Sequence, residues 1–299
     1  MRTLRIKFLL FIKRSRKIFL LLFFIVINGC SSSAQFTLFY SGNINGVYEN
    51  CRCPKVSEGS ILNHITFQKD SIDTCYEAIN VSTGNYFSMN PSDRENLLLK
   101  DILDSLDYHV FSPGRNDLEF IREIKNIAVV SCNIVDFLPF KRFEINGLAV
   151  TVTGMTDFGY SRFNTKNTIT EKTISQISDF TDSLRTFSDI IIFISNLENE
   201  FEKRVFNQVK NIDIMVSGIN RNNEMFQFGS KIYLSTGSSA EYIGKLKVEK
   251  KKDLIYYKNK FTQMKFNIIK EHQSTKLLLD SLKIKYGIKN GRESIQEDL

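Results

Sequence analysis

Histidine and cysteine, which bind metals and carry acid–base or nucleophilic chemistry, are scarce in this sequence. Its 299 residues include only three histidines, five cysteines and no tryptophan. His64 and His272 fall within predicted helices and His109 opens a predicted strand, so none sits on a loop that leaves a strand end. We therefore expect all three to be core or surface residues. The sequence also has no internal repeat and no low-complexity segment, which argues against a solenoid or a disordered tract.

Acidic residues are absent from the N-terminus. Residues 1–29 contain seven lysines and arginines, no aspartate or glutamate, and the apolar run Ile18–Ile27. That run is too short to span a bilayer, and a basic segment followed by such a run is typical of a secretory signal peptide. We therefore predict a signal peptide over 1–29 and a tether over 30–35.

Cys30 directly follows Gly29, an arrangement that resembles the lipobox of bacterial lipoproteins. In such proteins the cysteine is acylated, for example with palmitate, and becomes the first residue of the mature chain. We therefore predict Cys30 as the lipidation site. The expected location is the bacterial cell envelope, facing the periplasm, with the outer membrane favoured over the inner one. The alternative is a short membrane anchor that is never cut.

The basic character of the whole chain comes from this N-terminal segment. Once the segment is set aside, 33 basic residues stand against 33 acidic ones. A neutral chain offers no electrostatic reason to bind nucleic acid. The partners we expect are the membrane, reached through the lipid, and an unidentified small polar ligand or envelope protein.

Four cysteines lie beyond Cys30, and an exported chain meets an oxidising compartment. Cys51 and Cys53 form one Cys-x-Cys motif, which can bind a thiophilic metal or take part in redox chemistry. Thiolate metal sites usually pair two such motifs, so a disulfide from this loop to Cys75 is the preferred interpretation. Cys132 lies in an apolar strand and is expected to be a small buried hydrophobe.

The remaining roughly 270 residues are enough for one large domain with a substantial core. Strands and helices alternate through the first half, and strands predominate afterwards, which predicts a layered α/β domain with some antiparallel pairs. We place this domain at 36–263. It ends in a predicted hairpin of Tyr242–Lys250 with Asp253–Phe261, and a helical tail follows at 264–299.

Loops rich in glycine and asparagine follow many of the predicted strands. Each comes after a short run of valine, isoleucine, phenylalanine or tyrosine, so each should leave the carboxyl end of a strand. That edge is where α/β sheets build their sites. The loops contain Asn43 and Asn45, Gly84-Asn85, Gly114-Arg115-Asn116-Asp117, Ser195-Asn196 and Gly218-Ile219-Asn220-Arg221.

The order of these motifs resembles the catalytic domain of the 5′-nucleotidase-like metallophosphoesterases, also called calcineurin-like phosphoesterases, over roughly residues 36 to 250. The motifs are G-N-x-x-G-x-x-E-x-C-x-C-P, a strand ending in Gly-Asn, G-x-N-D, V-V-S-C-N-I, N-G-L-A-V-T-V-T-G-M-T, I-S-N and S-G-I-N-R. The resemblance implies a β-sandwich flanked by helices, in the layer order α/β/β/α. In that family a pair of divalent metals carries the catalysis.

The matching loops of that family carry aspartate and histidine metal ligands. Here every such ligand is replaced, in most positions by an amide, and an amide is neutral and a weaker donor than carboxylate or imidazole. We therefore expect two-metal hydrolysis to be absent and no cofactor to be bound. Asp117 alone keeps a carboxylate, and with Arg115 it is the catalytic candidate if the protein is active. The positions that match the family motifs hold Asn43, Asn45, Asn85, Arg115, Asn116, Asn196, Asn220 and Arg221.

Three interpretations of these loops stay open. The amide-rich cleft can bind a polar ligand, with Arg115 and Arg221 as clamps for phosphate or carboxylate. Asparagine and glycine can instead serve as turn residues with positive φ at strand ends. Hard cations also accept carboxylates, so a metal site can be assembled from Glu49, Glu58, Asp117, Asp157 and Glu198.

Two functions from different classes follow from these interpretations. The preferred one is a non-catalytic lipoprotein whose metallophosphoesterase-like domain binds a ligand or partner. The alternative is an envelope phosphoester hydrolase of nucleotidase type, with a divalent metal pair at an atypical site. Replacement of the whole ligand set favours the first.

Substitution of Cys30 tests the predicted lipid anchor. Wild-type protein expressed in bacteria should incorporate labelled palmitate and sediment with membranes, because a lipid-modified cysteine carries more than one acyl chain. Cys30→Ala should abolish labelling and leave the protein either released from membranes or uncut. A Cys30→Ala protein with unchanged mass and membrane fraction would contradict the prediction.

Overall fold

The computed structural model describes residues 33–49, 59–72, 74–75, 77–89, 93–157, 171–252, 254–265 and 268–288. The predicted signal peptide, Cys30, Cys51, Cys53 and Glu58 lie outside these ranges, so the expectations attached to them stay predictions. Within the described ranges, no helix is both long enough and apolar enough to cross a membrane.

Twelve described strands form two six-stranded sheets. The first sheet has the order β12-β11-β1-β2-β3-β4. Strands β1 to β4 run parallel, whereas β11 pairs antiparallel with β1 and with β12. The strands of this sheet are β1 (Ala34–Ser41), β2 (Ala78–Ser82), β3 (Val110–Phe111), β4 (Ala128–Val129), β11 (Tyr242–Lys251) and β12 (Leu254–Gln263).

The second sheet has the order β5-β6-β7-β8-β10-β9. Its four inner strands run parallel, and the two edge strands pair antiparallel with their neighbours. The strands are β5 (Lys141–Ile145), β6 (Leu148–Thr156), β7 (Ile190–Asn196), β8 (Ile214–Ser217), β9 (Asn223–Phe228) and β10 (Lys231–Thr236).

The main core lies between the two sheets and follows from strand alternation. Successive side chains of a strand point to opposite faces. In β7, Ile190, Ile192 and Ile194 therefore enter the core between the sheets, while Phe193 packs on the helical side. Both faces of this strand are buried, as the sequence DIIIFI predicts for a central parallel strand.

Helices cover the outer face of each sheet. Three helices pack on the first sheet around a core that includes Leu98, Ile102 and Leu279, and two pack on the second. The predicted α/β/β/α sandwich is confirmed. The helices are α1 (Ile61–Phe67, continued by one π-helical turn at Gln68–Ile72), α2 (Asp93–Leu103) and α5 (Gln273–Tyr286) on the first sheet, and α3 (Glu171–Arg185) and α4 (Asn199–Gln208) on the second.

Most elements fall where the sequence places them, with three differences. The sequence over Leu118–Lys125 predicts one short helix, whereas the structure has two 3-10 turns, Arg115–Asp117 and Ile121–Glu123. The tail helix begins at Gln273 rather than near 267. Strand β9 was not expected, because its six residues form an exposed edge strand and show no buried apolar face.

Helix α5 is anchored to the first sheet by buried and charged contacts. Lys283 is only 3% exposed and its Nζ lies 2.5 Å from Glu49 Oε2, in the loop after β1. Lys285 Nζ and the Tyr286 hydroxyl both donate to Asp101 of α2, at 2.7 and 2.6 Å. The helix is thus packed into the domain rather than extending from it.

Two neighbouring leucines of α5 test this packing. Leu279 is 1% exposed in the core and Leu277 is 60% exposed. Leu279→Ala should lower the free energy of unfolding by about 2–5 kcal/mol because it leaves a cavity. Leu277→Ala, the matched control, should change it by less than about 0.5 kcal/mol. Urea denaturation of both variants measures the difference, and equal small effects would show that α5 is dispensable.

Candidate functional site

The carboxyl ends of the parallel strands from both sheets bring the predicted loops together. Asn43, Asn45 and Asn85 all adopt left-handed backbone conformations, with φ of 53°, 54° and 49°. Asparagine tolerates this conformation better than most residues because its short side chain bonds locally. The positive φ that the turn interpretation expects is therefore present at these three positions.

Asn43 joins the loop after β1 to the loop after β10. Its side-chain Nδ2 donates to Gly237 O at 3.0 Å, although the two residues belong to different sheets. Its backbone oxygen accepts from Ser239 N at 2.8 Å, and its backbone nitrogen donates to Gly84 O at 2.8 Å. Asn45 Nδ2 donates in turn to Asn43 Oδ1 at 2.9 Å. Asn43 is therefore a buried cross-link between loops.

Asn85 and Asn196 make four further hydrogen bonds across the sheets. Asn85 Nδ2, from the first sheet, donates to Gly218 O at 2.9 Å and to Asn196 Oδ1 at 3.3 Å. Asn196 Nδ2, from the second sheet, donates to Ser112 O at 3.3 Å and to Pro113 O at 3.2 Å. We call Asn43, Asn85 and Asn196, with the carbonyl groups that they bind, the amide cluster.

Two glycines allow the loops of the amide cluster to touch. A Cβ atom on Gly218 would lie 2.2 Å from Asn196 Oδ1 and 2.3 Å from Thr83 O. A Cβ atom on Gly84 would lie 2.3 Å from Ser112 O. Such approaches are possible only without a side chain. The loops are therefore in direct contact, and the amide nitrogens occupy the space between them.

Asp117 is fully buried and holds the loops of the first sheet. Its carboxylate accepts four backbone N–H bonds, from Asn85, Tyr86, Phe87 and Gly114, at 2.7 to 3.1 Å. Burial raises the pKa of Asp117 to about 6, and the four N–H donors act in the opposite direction. At neutral pH the carboxylate is thus mostly ionised and surrounded by donors. This geometry gives Asp117 a structural role.

Arg115 lies at the rim of the loops and is engaged by two acids. Its Nη2 donates to Asp157 Oδ2 at 2.9 Å and lies 3.3 Å from Glu198 Oε1. The neighbouring Asn116 turns inward, where its Nδ2 donates to Phe87 O at 3.3 Å. A phosphate or carboxylate bound by Arg115 would have to compete with these carboxylates.

Asn220 belongs to a separate polar group on the helical side of the second sheet. Its Nδ2 donates to Glu224 Oε2 at 3.0 Å and to the Tyr233 hydroxyl at 3.1 Å. That hydroxyl donates to Glu202 Oε1 of α4 at 2.6 Å, and burial raises the pKa of Glu202. The structure therefore brings together Asn43, Asn45, Asn85 and Asn196, whereas Asn220 is bound elsewhere.

The donor set does not fit the metal pair that the resemblance implies. Within the described residues, no three histidine, cysteine, aspartate or glutamate side chains are grouped so as to hold a metal ion. Glu49 pairs with Lys283, and Asp157 and Glu198 both contact Arg115. Among the described carboxylates of the alternative metal site, Asp157 and Glu198 thus meet at the Arg115 guanidinium, whereas Glu49 and Asp117 are engaged elsewhere.

The histidines and the described cysteines lie outside the amide cluster. His64 is fully buried, its Nε2 lies 2.9 Å from Ala240 O, and burial lowers its pKa to about 4. His272 precedes α5 and contacts Asp70 at the surface. The two described cysteines, Cys75 and Cys132, form no disulfide with each other, and burial raises the pKa of Cys132 to about 12. The disulfide to Cys51 or Cys53 stays a prediction.

No protein-family profile matches the sequence, and no curated protein sequence matches it. Solved structures do match. The NAD nucleotidase NadN of Haemophilus influenzae aligns with a TM-score of 0.70 at 11% identity, over 86% of this chain and 61% of that one. A 5′-nucleotidase precursor from Thermus thermophilus aligns with a TM-score of 0.70 at 13% identity, over 84% and 59%.

A shorter structure aligns along nearly its whole length. The calcineurin-like phosphoesterase YfkN of Bacillus subtilis has a TM-score of 0.65 at 11% identity, over 85% of this chain and 98% of that one. The chain thus has the metallophosphatase fold of these structures. It spans about three fifths of the length of the two nucleotidases.

Exchange of the Asn85 amide for a carboxylate tests the amide cluster. Asn85→Asp should lower the free energy of unfolding by about 2–4 kcal/mol, because a carboxylate cannot donate to Gly218 O and meets Asn196 Oδ1 instead. Asn146→Asp is the matched control. Asn146 also has positive φ, at 50°, and its Nδ2 donates at the surface to Gln35 O.

Thermal and urea unfolding of both variants measure the effect. The Asn146→Asp change should stay within about 0.5 kcal/mol because water replaces the lost bond. Equal effects at the two positions would show that the amide cluster contributes no more than an ordinary surface turn.

Proposed function

We propose that this chain is a non-catalytic, envelope-anchored lipoprotein whose metallophosphatase-fold domain binds a ligand or partner. The observation that carries this proposal is the amide cluster. Three side chains at positions where the resembling family has metal ligands act as hydrogen-bond donors between loops of the two sheets. Metal ligands must present lone pairs, whereas these groups direct N–H bonds at carbonyl oxygens.

The electrostatics of the amide cluster support the same conclusion. Two divalent metals a few ångströms apart need several anionic or imidazole ligands to offset their charge. Asn43, Asn85 and Asn196 are neutral, and the Asp117 carboxylate beside Asn85 is enclosed by four backbone N–H groups. Ordinary two-metal activation of water therefore lacks its ligands in this part of the chain.

Binding would use the rim above the amide cluster. Asn45, Arg221 and Asn222 are exposed there, and Arg115 is half-buried. Arg221 makes no ion pair with any other described residue. A guanidinium group recognises carboxylate or phosphate through paired hydrogen bonds. The expected ligand is therefore a polar or weakly anionic group, on a small molecule or on an envelope protein.

The second candidate function is a phosphoester hydrolase of nucleotidase type. The fold shared with two nucleotidases and a calcineurin-like phosphoesterase favours it. Shared fold alone does not carry the chemistry, because unrelated functions use the same fold. The candidate requires a divalent metal pair at an atypical site.

Metal content and turnover separate the two functions. After dialysis the purified full chain should hold less than one equivalent of manganese, zinc, iron or calcium. It should also fail to hydrolyse nucleoside monophosphates or an activated phosphoester above a buffer control. Elemental analysis and phosphate release measure these outcomes, and stoichiometric metal with turnover that a chelator abolishes would establish the hydrolase.

Single restorations serve as controls for that experiment. Asn85→Asp or Asn196→His should leave metal content and turnover unchanged, because one ligand cannot hold a two-metal cluster. An increase of either variant to one bound metal per chain would show that the remaining cleft is already a metal site.

A further inference from the structure

A cavity of about 650 Å³ opens at the opposite end of the first sheet from the amide cluster. It lies where β2, β3 and β4 begin, beside the start of β5 from the second sheet. None of the asparagines of the amide cluster lines it. Its polar lining includes Cys75, Asp104, Asp107, His109, Asn126 and Lys141.

Opposite charges line this cavity without neutralising each other. Asp104 and Asp107 come from the connection between α2 and β3, and Lys141 begins β5. All three are exposed, and none forms an ion pair with another described residue. These two carboxylates and one ammonium group can therefore bind a ligand that itself carries a positive and a negative charge.

His109 adds a hydrogen-bond donor of fixed position. Its Nδ1 accepts the backbone N–H of Asn80 at 3.0 Å. Burial lowers the pKa of His109, while nearby Asp107 acts in the opposite direction. Because Nδ1 accepts the Asn80 N–H, the ring proton lies on Nε2. The Nε2–H group is the donor that His109 can offer to a bound molecule.

Apolar residues form the rest of the cavity wall. Ile72, Leu106 and Ile127 contribute aliphatic surface, and Tyr108 and Phe143 contribute aromatic surface. The Phe143 ring lies 6.1 Å from the His109 ring, centroid to centroid. Small-molecule sites combine such apolar walls with a few polar groups that fix orientation.

We propose that this cavity binds a small zwitterion with an apolar side chain, of the apolar amino acid type. Asp104 and Asp107 receive its ammonium group, and Lys141 with His109 Nε2–H receives its carboxylate. The aliphatic and aromatic wall receives its side chain. This site is independent of the function proposed for the amide cluster.

Matched ligands test the proposal by calorimetric titration of the purified full chain. The probes are leucine, N-acetylleucine, which lacks the ammonium charge, and leucinamide, which lacks the carboxylate. Leucine should bind saturably at millimolar concentration or below. Each blocked form should bind at least about tenfold more weakly, because each loses a hydrogen-bonded charge. Absence of leucine binding, or equal binding of all three, would overturn the proposal.

Variants of Lys141 and Asp107 test which residue binds the carboxylate of leucine and which binds its ammonium group. Lys141→Gln should remove most of the preference for leucine over leucinamide, and Asp107→Asn should reduce the preference for leucine over N-acetylleucine. Lys258→Gln on β12 and Asp179→Asn on α3, both exposed, are the matched controls and should retain both preferences. Unchanged preferences in the cavity variants would place leucine elsewhere and reject this site.

Discussion

Amide donors between the loops of the two sheets are the interaction on which this end of the molecule depends. The hydrophobic core fixes the spacing of the sheets, but it leaves the carboxyl ends of the parallel strands with carbonyl groups that face one another. Asn43, Asn85 and Asn196 satisfy these groups with N–H bonds that cross from one sheet to the other. Buried carbonyl groups without donors would destabilise the fold.

The loop contacts of the amide cluster differ from those of a site built around a metal pair. In a metal site, cations lie between the facing loops and are bound by anionic ligands from them. Such a site keeps an open coordination position for substrate. In the amide cluster, the loops instead contact each other directly through hydrogen bonds. Gly84 and Gly218 leave the space that this close approach requires. The two arrangements exclude each other, because an N–H donor and a metal ion cannot occupy the same place between the loops.

Sequence reasoning predicted the elements whose signals are local. The apolar run of β7, the turn at Asn146-Gly147 and the left-handed asparagines all follow from neighbouring residues. It could not predict the partners of the asparagines, since Asn43 and Gly237 are 194 positions apart and Asn85 and Gly218 are 133 apart. The sequence also did not predict β9 or the cavity around His109. The residues that line this cavity come from segments that are far apart in the sequence and meet only in the folded sandwich.

The position of β1 has a consequence for how the chain folds. This strand pairs on one side with β2 and on the other with β11, which starts at Tyr242. The first sheet therefore cannot close until more than 200 further residues are available. Contacts of such long range slow folding. A newly made chain therefore remains without a closed first sheet until its last hairpin has been made.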